Sequence, residues 1–118
     1  MPFKSGLIPY AACLFEGEGT VGAYFGTYLS RGHGPRRPRL TRQWQLAISM
    51  TDREPLDRFM DVFGFGAVDG PYVDSRHPAY KPYYRYGVSG FEKTQAIIAA
   101  MWSWLSPRRK EQWRVTLS

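Results

Sequence analysis

Cysteine is almost missing from this chain of 118 residues, which has one, Cys13, and histidine is scarce, at two. A single thiol excludes an internal disulfide framework and reads as a small buried residue, while His33 and His77, isolated in turn-forming sequence, read as surface residues rather than metal ligands. No apolar run reaches the roughly 18 residues of a membrane span, and Met1-Pro2-Phe3-Lys4-Ser5-Gly6 lacks the apolar core of a signal peptide. Neither membrane insertion nor secretion is expected, and the protein reads as intracellular. Internal repeats and low-complexity segments are missing too. Acidic residues are few, 10 against 16 lysines and arginines, and none lies between Gly19 and Thr51. The resulting charge of +6 points to a polyanionic partner.

What is present is sized for one domain, residues 1–118, with 43% hydrophobic and 16% aromatic content. Its most informative stretch is Ala11-Ala12-Cys13-Leu14-Phe15-Glu16-Gly17-Glu18-Gly19, a short helix of small residues that ends in two carboxylates. A helix C-terminus already carries unpaired carbonyls and the negative end of the macrodipole, so Glu16 and Glu18 there demand a cation. A divalent metal is the obvious one.

Two period-two segments follow. From Thr20 to Leu29, Val21, Ala23, Phe25 and Leu29 form one face, and Thr20, Gly22, Tyr24, Gly26 and Tyr28 the other. From Gln43 to Ser49, Trp44, Leu46 and Ile48 face inward, and Gln43, Gln45, Ala47 and Ser49 outward. Together they predict a long hairpin whose Gly/Pro-rich connection carries Arg31, Arg36, Arg37, Arg39 and Arg42, a local positive field.

Asp52 as N-cap, Pro55 in the first turn and Leu56, Phe59, Met60 and Phe63 at helical spacing predict a helix that Gly64 stops. Ala67–Val73 reads as a strand whose Gly70 and Pro71 suit a sheet edge, and Lys81–Ser89 as its partner. A helix over Phe91–Leu105 and a short basic helix capped by Ser106, with Pro107 first, complete the chain. The fold class is α+β in the order αββαββα, with a four-stranded antiparallel, saddle-shaped sheet, helices on one face and a short C-terminal helix.

The nonapeptide, the element order, Ile48-Ser49-Met50-Thr51-Asp52 and Leu105-Ser106-Pro107-Arg108-Arg109-Lys110 together resemble the LAGLIDADG homing endonucleases over nearly the whole chain. One copy of the motif resembles the members of that family that act as homodimers. The resemblance implies a site-specific endonuclease that cuts both strands of a long, near-palindromic target and leaves short 3′ overhangs. It makes Glu18, at the eighth motif position, the metal-binding catalytic acid, with Gly17 beside it, although Glu stands where Asp is usual. It places Arg108 as the basic residue that assists catalysis, with Arg109 and Lys110 as rivals, and Met50 where many members carry a water-positioning glutamine. Starting at Met1 with no flanking splicing block, the chain reads as free-standing or intron-encoded.

The physics of the motif agrees with a homodimer. Pro9, Cys13 and Gly17, four residues apart, form a ridge that a second helix can approach closely, with Ala12 and Glu16 expected in the same interface and Tyr10, Leu14 and Phe15 turned to the core. A two-fold axis there would bring the Glu18 carboxylates together, and such a cluster demands counter-charge. Oxygen ligands favour Mg²⁺, with Mn²⁺ able to substitute, over zinc or copper.

The open sheet face is expected to read double-stranded DNA. Tyr24 and Tyr28 on the first strand, Gln43, Gln45 and Ser49 on the second, Asp69 on the third, and Tyr83 and Arg85 on the fourth project the same way. Gln can pair with adenine, Arg85 with guanine and Asp69 with cytosine in the major groove, while Arg31, Arg36, Arg37, Arg39 and Arg42 hold phosphates. The alternative is a non-cleaving DNA-binding module or an intron RNA maturase of the same fold, which Met50 and the Glu-for-Asp exchange favour.

Overall fold

The computed structural model describes residues 3–29 and 38–117, and for residues 24–29 and 38–41 it describes the backbone alone. A 3₁₀ turn at Ser5–Leu7 leads into α1 (Ile8–Glu18), β1 (Gly19–Leu29), β2 (Pro38–Met50) and α2 (Glu54–Phe63). Then come β3 (Ala67–Tyr72), β4 (Tyr83–Ser89), α3 (Phe91–Met101), a second 3₁₀ turn at Trp102–Trp104, and α4 (Pro107–Leu117).

The strands form one antiparallel sheet in the order β1-β2-β4-β3. Val21, Leu46, Ile48, Tyr86 and Val88 sit on its inner face, and their core also takes in Ile8, Ala11, Ala12 and Phe15 from α1, Leu56, Phe59, Val62 and Phe63 from α2, and Ile97, Ile98 and Met101 from α3. The α+β order expected from sequence is the one observed.

Local chemistry explains the boundaries. Asp52 accepts a hydrogen bond from the Glu54 N–H at 3.3 Å, and Gly64, at φ +79°, closes α2 with its N–H on the Met60 carbonyl at 2.8 Å. The last buried turn of α2 uses Val62, whereas Met60 is only partly buried. β4 starts at Tyr83 rather than Lys81 because Pro82 has no N–H for the ladder. Pro71 imposes the same limit on the edge strand β3, whose register with β4 shifts between Asp69 and Tyr72. The helix expected to run to Leu105 ends instead at Met101 and tightens into a 3₁₀ turn, because two tryptophans and a serine are weak helix formers.

Two buried polar groups make separate predictions. Thr94 is 0% exposed and its Oγ1 has no partner among the described residues. Thr94→Val, which keeps the shape and removes the orphan hydroxyl, is expected to stabilise the fold by about 1 kcal/mol in urea unfolding. A loss of stability would show that the hydroxyl is bonded.

Tyr86, also 0% exposed, donates its hydroxyl to the Phe65 carbonyl at 3.0 Å, and burial holds its phenol well above the usual tyrosine range. Above the ordinary tyrosine pKa of about 10, the unfolded chain releases this proton while the native chain keeps it, so stability falls as pH rises. The urea midpoint is expected to drop from pH 9 to 11, on the order of the tyrosine range, with a shallower slope in Tyr86→Phe. An identical slope in that variant would contradict the assignment.

Candidate nucleic-acid interface and metal corner

Three surfaces meet at the end of α1. The first is the open sheet face, organised by register. Ser49, Arg85 and Asp69 lie opposite one another across β2, β4 and β3, and Thr20, Ala47, Gly87 and Ala67 form the next row of that face. Gly22, Gln45 and Ser89 form the row beyond. Ser49, Arg85 and Asp69 are exposed, and Gln43, Gln45 and Tyr83 are partly buried. Thr20, Gly22, Gln45 and Arg85 line a shallow concavity. The face therefore offers a guanidinium, amides, a hydroxyl and a carboxylate along one ribbon, the donor and acceptor types that base edges require. Ala47 points the same way but is 5% exposed, so it is floor rather than contact surface.

Arg42 corrects the expectation placed on it. It shares the parity of Trp44, Leu46 and Ile48, so it belongs to the helix side of β2. Its guanidinium donates to the Thr116 carbonyl in the last turn of α4 and lies 5.1 Å from the centre of the Trp44 ring. It ties β2 to α4 where a phosphate contact was expected. Arg31, Arg36 and Arg37 lie outside the described residues, as do the side chains of Tyr24, Tyr28 and Arg39.

The second surface is the outer side of α1. Pro9, Cys13 and Gly17 are all exposed, and a Cβ added at Gly17 would meet nothing within 4 Å. Cys13, expected to be a buried thiol, is a free exposed one. Beside this ridge Tyr10, Leu14 and Met50 line an apolar concavity that also includes Cys13, Gly17 and Glu18. Tyr10 and Leu14 are only half-buried; Tyr10 donates to the Pro55 carbonyl at 3.4 Å and packs under Arg58.

The expected interface loses two members. Ala12 is 1% exposed within its own chain because Ile8, Ala11, Ala12 and Phe15 make the inward stripe of α1. Glu16 turns to α4 instead.

The third surface is the corner itself. Glu18, the last residue of α1, is exposed, and it borders both the apolar concavity of α1 and a second concavity formed with Ser49, Met50, Thr51 and Tyr83. It stands where the α1 ridge meets the open sheet face. Met50 packs partly into the core beside it and lines the same concavity. The corner exists because Gly19 leaves α1 directly into β1; a Cβ at Gly19 would overlap the buried Phe15 ring.

Glu16 is held from the opposite side. Its carboxylate accepts from the Ser106 N–H and the Ser106 hydroxyl, each at 2.8 Å, while Arg108 and Arg109 stand at 3.7 and 3.9 Å. Burial disfavours its charge, but the Ser106 bonds and the two guanidinium groups outweigh that and hold its carboxyl below the usual range. Arg109 is 6% exposed; its Nε and Nη2 donate to the Glu16 carbonyl at 3.3 and 2.9 Å, and Nη1 to Gln112 at 2.9 Å. Burial lowers its pKa first, with Arg108 adding to the effect and Glu16 opposing it.

Among the basic residues that open α4, Arg108 keeps a side chain 70% exposed, while Lys110 is half-buried over Trp102. Sequence reasoning read Ser106 as a cap, and its hydroxyl does accept from the Arg109 N–H at 3.2 Å. It missed that this cap also grips Glu16, 90 residues earlier.

Among the described residues, no group of three or more His, Cys, Asp or Glu side chains stands close enough to hold a metal within one chain. The donors that are present at the corner, the Glu18 carboxylate and the Gly17 carbonyl, are hard oxygens of the kind Mg²⁺ takes. They fit such an ion in type but are too few in one chain. Among the described residues, no helix is long and apolar enough to cross a membrane.

Comparison with solved structures places this geometry. The homing endonuclease I-CvuI, in complex with its target (Sro1.3) in the presence of 2 mM Ca, matches 96% of this chain and 65% of its own, with a TM-score of 0.68 and 13% identity. I-CvuI with the I-CreI target (C1221) in 2 mM Mg, its DNA not cleaved, matches 98% of this chain and 68% of its own, at 0.66 and 16%. The group I intron-encoded homing endonuclease I-CeuI, complexed with DNA, matches 95% and 52%, at 0.64 and 12%. This chain thus spans about half to two thirds of the length of those proteins. No family model matches the chain. No curated protein matches it either. At these identities the likeness is one of fold, and the fold is that of the LAGLIDADG homing endonucleases, as the sequence resemblance implied.

Proposed function

We propose that this chain is one half of a site-specific double-strand DNA endonuclease, a homodimer that uses Mg²⁺, or Mn²⁺ in its place, on a long near-palindromic target and leaves short 3′ overhangs. The observation that carries this reading is the position of Glu18, which borders the exposed α1 ridge on one side and the open sheet face on the other. A copy docked on Pro9, Cys13 and Gly17 brings its own Glu18 to the same spot, and the two sheets then form one continuous saddle for DNA. The need for a partner follows from donor number, since one chain offers a carboxylate and a carbonyl where a hard cation takes about six oxygens, the rest coming from the second copy, DNA phosphates and water.

Each group then has a task. Glu18 and the Gly17 carbonyl would hold the ion, which when bound activates a water and stabilises charge on the scissile phosphate. Arg108, exposed at the start of α4 and 3.7 Å from the Glu16 carboxylate, would contact a phosphate. Gln43, Gln45, Ser49, Arg85, Asp69 and Tyr83 supply base-edge contacts, and Arg31, Arg36, Arg37 and Arg39 backbone contacts. A nuclease of genomic DNA works where that DNA is, inside the cell.

The test is to present a duplex carrying the uninterrupted insertion site with Mg²⁺, with Ca²⁺ and with chelator. Cutting of both strands in Mg²⁺ alone supports the proposal. Tight binding without cutting in Mg²⁺ or Mn²⁺ would favour the second reading, a non-cleaving DNA-binding module or intron RNA maturase, which Met50 beside Glu18 already supports.

A further inference from the structure

Arg109 is the one charged side chain buried among the described residues, and although its Nε stands 3.9 Å from the Glu16 carboxylate, its hydrogen bonds go elsewhere. Arg108, exposed and 3.7 Å from the same carboxylate, already supplies a positive charge. Arg109 instead directs two donors at the Glu16 main-chain carbonyl and a third at Gln112, with its guanidinium 5.0 Å over the Phe15 ring. A desolvated cation is tolerated only when its donors are satisfied, so this arrangement is specific.

The carbonyl it grips belongs to the last turn of α1, where no intrahelical partner remains. Two residues on stands Glu18, flanked by Gly17 and Gly19 and therefore on backbone with unusual freedom. That freedom is removed from both ends. The Gly19 N–H binds the Phe15 carbonyl, and Arg109 binds the Glu16 carbonyl.

From this geometry we infer that Arg109 is a positioning residue for the metal corner, fixing the Gly17-Glu18 backbone so that the Glu18 carboxylate is presented to a divalent cation. The inference rests on the proposed role of Glu18. Arg109 touches neither the cation nor DNA; it acts through the main chain, with Gln112 orienting its fork. Supporting groups behind a ligand typically change metal affinity by about 10- to 100-fold.

The experiment uses Tb³⁺ alone as the probe, a hard oxygen-seeking ion whose emission Tyr83, in the same concavity as Glu18, can sensitise. Affinity is measured for the wild-type protein, Glu18→Gln, Arg109→Gln and Gln112→Ala, together with metal-free amide exchange at residues 17–19 and metal-free binding to a random duplex. The expected results are loss of Tb³⁺ binding in Glu18→Gln, a roughly tenfold loss in Arg109→Gln with faster exchange at the corner, and a smaller loss in Gln112→Ala. Random-duplex binding stays unchanged in all the Arg109 and Gln112 variants.

Should Arg109→Gln fail to fold, Gln112→Ala decides, because it leaves the buried charge in place and removes only its orientation. Wild-type Tb³⁺ affinity and exchange in the folded Arg109 or Gln112 variant, with binding lost in Glu18→Gln, would overturn this inference alone. Equal Tb³⁺ binding by wild type and Glu18→Gln would overturn the metal role of Glu18 and this inference with it.

Discussion

Glu18→Gln is expected to lower cutting by about 10³-fold or more while duplex binding survives. The magnitude follows from what a metal supplies to phosphodiester hydrolysis, several kcal/mol of charge stabilisation at about 1.4 kcal/mol per factor of ten. The survival of binding follows from the position of Glu18. Its side chain is exposed and forms no ion pair or side-chain hydrogen bond among the described residues, so an isosteric amide disturbs neither α1 nor the corner. In the proposed complex the base-edge and phosphate contacts belong to other residues, so removing a negative charge beside the DNA should leave metal-free affinity equal or slightly higher. Plasmid cutting and gel-shift titration on the same preparations read both effects. Undiminished cutting by the variant would remove Glu18 from the chemistry.

Gly17→Arg is expected to separate the two copies without harming the single chain. Within one chain the position is open, since a Cβ there meets nothing within 4 Å, and replacing a helical glycine favours the helix by about 1 kcal/mol. Helices that cross on a small-residue ridge approach to about 8 Å, which leaves no room for a guanidinium between them. Light scattering should therefore report one chain in solution, cutting should disappear, and the melting temperature should hold or rise. A variant that remains a dimer would move the interface away from Pro9, Cys13 and Gly17.

Much of this was legible because it is local. Period two placed Val21, Leu46 and Ile48 on the inner face, and cap chemistry placed the end of α2 at Gly64 and the start of α4 at Ser106, whereas the N-cap of α2 is Arg53, one residue after the expected Asp52. The edge position of β3 followed from Gly70 and Pro71. Some errors were readable in the same patterns. Arg42 shares the inward parity of Trp44, and Ala12 completes the apolar stripe of Ile8 and Phe15, though its small size made it look like part of the open ridge.

The clamp on α1 could not be read at all. Glu16 meets Ser106 across 90 residues and Arg109 across 93, and nothing in either segment encodes the partner; the contact exists only once the sheet has set α4 against the end of α1. For the same reason the basic triplet Arg108-Arg109-Lys110 could not be divided from sequence into an exposed residue, a buried one and one stacked on Trp102.

The most direct measurement is the mass of the complex that cuts. Native mass spectrometry of the protein on its target duplex, in Ca²⁺ to hold the complex and then in Mg²⁺ to release product, counts chains and products together. Two chains per duplex, with both strands cut only in that complex, is the expected result. One chain per duplex that cuts both strands would contradict a site shared by two copies of Glu18.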